Sequence, residues 1–119
     1  MMNQVQLIGR LAREVTLTVT ENHNKVFKNI LAISRYGANQ ETDFIPITAW
    51  NVTASLFEQY LHKGDEVGIV GSLRSHSYLN KNQQKVSYTD VLVQEVFFLR
   101  KKQADKQPVQ EVNVEITKA

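Results

Sequence analysis

The chain has no cysteine, which removes disulfides, thiolate nucleophiles and cysteine-ligated zinc, and permits a reducing intracellular compartment. Glycine is sparse: the five residues fall singly at positions 9, 37, 64, 68 and 71. No G-x-x-x-x-G-K, G-x-G-x-x-G or G-x-S-x-G string can be drawn through them, so a phosphate-cradling loop and a nucleophile elbow are both unsupported. Histidine is also scarce, and His23, His62 and His76 share no metal-ligand spacing; they read as surface residues, with neither metal nor cofactor expected. No run approaches the roughly 18 apolar residues of a membrane-spanning helix, and the opening MMNQVQLIGR lacks a basic stretch followed by an apolar one. The expected location is cytoplasmic, with no membrane partner.

A surplus of charge is missing as well. The net charge is +2 over 119 residues. Residues 1–99 carry nine Lys/Arg and nine Asp/Glu, while residues 100–119 carry five and three, so the whole excess lies at the end. A groove that tracks a phosphate backbone must therefore arise by segregating charge onto one face, not from bulk basicity.

The hydrophobic fraction of 42% and the charged fraction of 22% are those of a folding chain. The length suits one domain, expected over residues 1–99. Alternation at period two marks strands at residues 5–11 (VQLIGRL), 15–20 (VTLTVT) and 26–34 (VFKNILAIS), with Val15, Leu17 and Val19 facing inward. Gly9 within the first run implies a bulge or a close backbone approach. Strand character resumes at 44–50 (FIPITAW), where Pro46 suggests an edge position or a bulge. A single helix is expected over about residues 52–62, capped by Asn51, with Ala54, Phe57 and Leu61 on its apolar stripe and Gly64 at the left-handed C′ position. Residues 66–78 and 85–99 form an extended hairpin. Five long strands with one short helix before the last two is the element order of a five-stranded all-β OB-fold barrel; strand count alone does not exclude an SH3-like barrel. Residues 100–119 read as a flexible tail.

Two carboxylate pairs, Glu41/Asp43 and Asp65/Glu66, invite a metal-dependent nuclease reading. Both lie in or beside predicted turns, where acidic residues commonly serve the backbone, so no enzymatic role is expected. Single-stranded nucleic acid offers phosphates, matched by Lys and Arg, and base faces, matched by aromatic rings. Both residue types occur here interleaved: Tyr36 follows Arg35, Tyr78 lies near Arg74 and Lys81, Tyr88 lies near Lys85, and Phe27 precedes Lys28. Phe57, Tyr60, Phe97 and Phe98 fit core or helix-packing positions, whereas Tyr36 and Tyr78 sit where a buried ring is hard to place.

Taken in order, NQVQLIGRLARE, ILAISR, ETDFIPITAW, YLHKGDEVGIVGSLRSHSY and YTDVLVQEVFFL resemble the bacterial single-stranded DNA-binding protein family over about residues 3–99. The resemblance implies an OB-fold that assembles as a homotetramer, a dimer being possible, with first strands paired between protomers and single-stranded DNA wrapped on the surface during replication, recombination or repair. Carried over by position, the stacking rings fall on Phe44, Trp50 and Tyr78, with a further one near Tyr36 and Gly37. Alternation places Phe44, Pro46, Thr48 and Trp50 on the face opposite Ile45, Ile47 and Ala49, which suits solvent-directed rings. Arg10, Arg35 and Arg74 match the basic groove, joined by Lys63 and Lys81; Tyr88 is added to the candidate set on its nearness to Lys85, not on the resemblance. The family's Gly/Pro/Gln-rich linker and acidic, Phe-terminated tip have no counterpart in residues 100–119, so replication or recombination proteins are not expected to be recruited through such a tip. That departure resembles a short member carried by a phage or mobile element. An OB adaptor of primosome type, working mainly by protein contact, is the alternative, and no residue identifies a group that reads an RNA 2′-hydroxyl.

Overall fold

The computed structural model describes residues 1–37 and 40–101. Its elements run β1 (Val5–Leu11), β2 (Leu17–Val19), β3 (Lys25–Ser34), β4 (Thr42–Trp50), α1 (Asn51–Tyr60), β5 (Glu66–Leu79) and β6 (Lys85–Arg100). All six strands share one sheet in the order β1-β5-β6-β4-β3-β2, and an added β1–β3 pairing closes five of them into a ring. Helix α1 stands between the third and fourth strands of that ring. This is the OB arrangement rather than an SH3-like one.

Two of the ring's joints are narrow. β1 meets β3 only through Arg10↔Ala32 and Leu11↔Leu31, and β4 meets β6 in parallel only through Ile47↔Val91 and Thr48↔Leu92. Alternation fills the interior with Leu11, Phe27, Leu31, Ile47, Ala49, Val67, Ile69, Val91 and Val93, and α1 adds Ala54, Phe57 and Leu61. Phe27 and Phe57 stack at 4.3 Å between centroids, so Phe27 joins sheet to helix and is not part of a binding surface. Gly9 shows the expected close approach: a Cβ there would lie 2.5 Å from the Ala32 carbonyl oxygen. No bulge interrupts the β1–β5 register at that point.

Several expectations need correction. β2 is reduced to three residues, and Val19 faces out. Asn51 does not cap the helix; at φ 53° its Oδ1 accepts the Lys25 backbone N–H at 3.0 Å, and Trp50 takes the cap position without a side-chain bond. Gly64 is not at C′, because α1 ends at Tyr60 with Leu61 extended. The glycine instead occupies a turn, with φ 93°, in which Asp65 N–H donates to the His62 carbonyl. Pro46 lies where β4 is paired by β3 alone, so its missing N–H costs no second ladder. Tyr60, Phe97 and Phe98 are about half exposed. Of the tail expected over residues 100–119, Arg100 ends β6 and residues 102–119 lie outside the described residues.

Polar side chains hold the connections, one buried and one exposed. Asn29 Nδ2 donates to the carbonyls of Arg13 and Glu14 and its Oδ1 accepts from Arg13 and Ile30, fixing the β1–β2 link on β3. Asn3 exchanges two 2.9 Å bonds with the Leu73 backbone, extending the β1–β5 ladder by one side chain.

Candidate nucleic-acid interface

The barrel wall sorts its residues by alternation, and register joins the outward ones across strands. On β4 the outward set is Phe44, Pro46, Thr48 and Trp50. On β3 it is Val26, Lys28, Ile30 and Ala32, paired with Trp50, Thr48, Pro46 and Phe44 in turn. The next strand over, β6, supplies Tyr88 and Asp90, opposite His76 and Arg74 of β5, with Tyr78 following. One continuous outer face thus carries Phe44, Trp50, Arg74, Tyr78 and Tyr88. Their rings are open to solvent, with Phe44 at 63%, Trp50 at 38%, Tyr78 at 53% and Tyr88 at 45% exposure.

The far half of the hairpin reaches beyond the barrel. Past the β4–β6 joint, residues 75–79 and 85–89 pair, among the described residues, only with each other, and their turn is tied by Asn80 Oδ1, which accepts from Asn82 and Gln84. Lys81 is exposed in that turn. At the root of this arm lies Asp90, 7% exposed, accepting from the Thr48 hydroxyl at 2.7 Å and sitting 3.0 Å from His76 Nε2 and 3.5 Å from an Arg74 amine. Burial would raise this carboxyl's pKa, but the bonds from Thr48 and His76 and the charge of Arg74 outweigh it and hold the group below the usual carboxylate range. Thr48 is outward yet buried because that contact covers it. The His76 ring stacks on Tyr88 at 4.8 Å and 19°, and Tyr88 meets Tyr78 edge-on at 6.3 Å.

The other expected residues are arranged differently. Arg10 points outward from β1 and donates to the Gly64 carbonyl at 2.9 Å, beside the exposed Lys63. Arg10, Arg35 and Tyr36 line a cleft of about 560 Å³ where β1 and β3 diverge, with Ile8 and Ile33 as its apolar walls. Tyr36 is fully exposed there. Arg35, expected as a free groove cation, is clamped: it lies 2.8 Å from Asp43 and 2.9 Å from Glu41. The hydrogen bond with Asp43 raises the guanidinium pKa further and lowers that of the carboxyl. The pair Glu41/Asp43 is thus an arginine clamp rather than a metal site, and among the described residues no group of three potential metal ligands occurs.

Sequence reasoning missed one residue of the main face and named another only as the neighbour of Phe27. Lys28 is exposed between Phe44 and Trp50 on the neighbouring strand, with no ion pair among the described residues. His76 was set aside as a scattered surface histidine. The signal for it is the alternation Arg74-x-His76-x-Tyr78, which puts all three on one strand face. A second surface lies elsewhere on the barrel: Ile8, Gly68, Phe97 and Leu99 line a concavity of about 550 Å³, and among the described residues β1 is paired on one side only through most of its length.

The model of the family described as "Single-strand binding protein family" matches residues 2–99. A single-stranded DNA-binding protein of Halalkalibacterium halodurans is 35% identical over 111 residues, 90% of this chain and 66% of that protein. One of Bacillus cereus is 38% identical over 103 residues, 83% and 61% respectively, and one of Malacoplasma penetrans is 36% identical over 95, 80% and 50%. The chain thus spans half to about two thirds of the length of these relatives. A solved structure of a Plasmodium falciparum SSB in complex with ssDNA superposes with TM-score 0.75 at 25% identity, covering 83% of this chain and 96% of that one.

Proposed function

This chain belongs to the single-strand binding protein family, and from that premise we propose that it binds single-stranded DNA without sequence preference and covers it during replication or recombination, as a binding protein rather than an enzyme. The observation that carries the reading is the outer face of β3, β4, β5 and β6, on which four solvent-open rings, Phe44, Trp50, Tyr78 and Tyr88, stand among Lys28 and Arg74. Rings stack on any base, and cations meet phosphates without reading sequence, so the face suits a strand of arbitrary composition. Arg10, Lys63 and Tyr36 extend it around the barrel, Lys81 extends it to the hairpin tip, and Arg35 contributes less because two carboxylates already answer its charge.

Self-association is part of the reading. The half-free β1 and the apolar strip of Ile8, Phe97 and Leu99 favour copies of the chain assembling there, a tetramer or a dimer, with the DNA face left open. A cytoplasmic location fits a protein in which, among the described residues, no helix is long and apolar enough to cross a membrane. Titration with oligo-dT tests the proposal: Trp50 emission falls on binding, and affinity drops as salt rises. Unchanged emission together with no gel shift rejects it. Solution mass with and without oligo-dT reports the assembly.

A further inference from the structure

One side chain on the hairpin arm differs from its neighbours in that its residue type changes charge near neutral pH. His76 is one-third exposed, so the ring meets solvent while Nε2 turns inward to Asp90 Oδ1 at 3.0 Å. A carboxylate only accepts, so Nε2 carries the hydrogen and Nδ1 is the atom left to take up a proton. The titratable and charged groups around the ring are Asp90 and Tyr88 from β6 and Arg74 and Tyr78 from β5, while β4 contributes the uncharged Thr48. With the imidazole neutral, the Asp90–Arg74 pair sums to zero. With Nδ1 protonated, the cluster carries one net positive charge at the base of a run of rings that leads through Tyr88 to Tyr78. A polyanion discriminates between those two states in favour of the charged one.

We propose that His76 is a further nucleic-acid-binding residue of this face, and that binding a strand is linked to uptake of one proton at its Nδ1. The inference rests on the single-strand reading given above and adds a pH-responsive element to the same site. The acid form of the buffer supplies the proton and is left as its conjugate base, one N–H bond forming at Nδ1 as the donor's bond to hydrogen breaks, and Asp90 stays ionised on both sides of the step.

The test measures the affinity of fluorescein-labelled oligo-dT by anisotropy at about pH 8 and about pH 6 at one ionic strength. The parent protein is expected to bind roughly three- to tenfold tighter at the lower pH, a tenfold preference for the charged ring setting the upper limit of that ratio. Calorimetry in two buffers of unlike ionisation enthalpy then shows net proton uptake of up to one per site. His76→Phe keeps a ring on Tyr88 without a charge, and His76→Arg keeps a charge that does not titrate; both bring the ratio close to one. His62→Gln, at an exposed turn away from the face, keeps the parental ratio. If His76→Phe folds poorly, the ratio in His76→Arg decides alone. A variant at His76 that retains the full ratio, or a parent with none, overturns the proton linkage. Absence of binding at both pH values overturns the single-strand reading itself.

Discussion

Two glycines that lie near each other on adjoining strands should respond oppositely to the same added methyl group. At Gly9 an alanine Cβ would stand 2.5 Å from the Ala32 carbonyl oxygen, 2.9 Å from Ile33 Cγ1 and 3.0 Å from Leu31 Cγ. The first of these is backbone, and ordinary contact begins near 3.4 Å, so β1 and β3 must part by about 0.9 Å. That displacement falls on a joint only two residue pairs long, where overpacking of this kind costs about 1–3 kcal/mol. At Gly68 the nearest atoms, on Ile8, Leu99 and Phe97, are 3.6–3.7 Å away. The methyl fits, and the smaller entropy of the unfolded chain stabilises the fold by about 0.4–1 kcal/mol. A domain of this size shifts its melting temperature by roughly 4–8 °C per kcal/mol. Calorimetry at matched protein concentration should therefore find Gly9→Ala melting roughly 4–24 °C below the parent and Gly68→Ala melting roughly 2–8 °C above it. Equal melting temperatures for the two variants, or the reverse order, would show that the β1–β3 joint yields freely and would refute the steric reasoning.

Trp50→Ala and Phe44→Ala should each weaken oligo-dT binding about 5- to 150-fold, the equivalent of about 1–3 kcal/mol per lost stack, whereas Phe27→Ala should destabilise the fold by about 3–5 kcal/mol in a urea melt. Lys28→Gln should flatten the slope of log affinity against log salt by about 0.7, and Arg35→Gln by clearly less, since Asp43 and Glu41 already hold that guanidinium; equal slopes for the two variants would contradict the clamp. For Asp90 the folded-state pKa lies below the unfolded one. Its contribution to stability is therefore complete above about pH 4 and fades as pH falls through the folded value. Asp90→Asn should be less stable than the parent at pH 7, with the gap closing in more acid urea melts; a gap independent of pH would argue against it.

The strands were legible because period-two alternation is imposed by the pleat itself, and Gly9 announced a close approach that the backbone confirms. Strand ends were harder to read. Val15 lies outside β2 where Asn29 takes up the backbone just before it, a long-range bond with no local signature, and Thr20 already belongs to the next turn, its carbonyl accepting from His23 N–H. Asn51 offered the chemistry of a cap but spends its side chain on Lys25, and Gly64 offered a helix stop but serves a turn three residues later. Alternation and resemblance together put Phe44 and Trp50 on the outer face, the resemblance and a place where a buried ring is hard to fit pointed to Tyr78, and Tyr88 stood out only by its nearness to Lys85. The state of the arginines could not, because Arg35 reads as a free cation until folding brings β3 and β4 into register and sets Asp43 and Glu41 against it. Phe97 and Phe98 illustrate a limit of hydrophobicity as a guide, since both rings are about half exposed although their residue type suits a core.

The position of β1 has a consequence for how the molecule comes into being. Nearly all of its pairing is with β5, from the far half of the chain, and only two residues meet β3. The β3–β4 meander and α1 can form from what has already left the ribosome, but the first strand emerges long before its principal partner exists. Closing so wide a loop makes its docking a late and slow event. A ribosome stalled before β5 would therefore hold out Val5, Leu7 and Ile8 as an apolar edge with nothing to pair against, the segment most in need of a chaperone during synthesis.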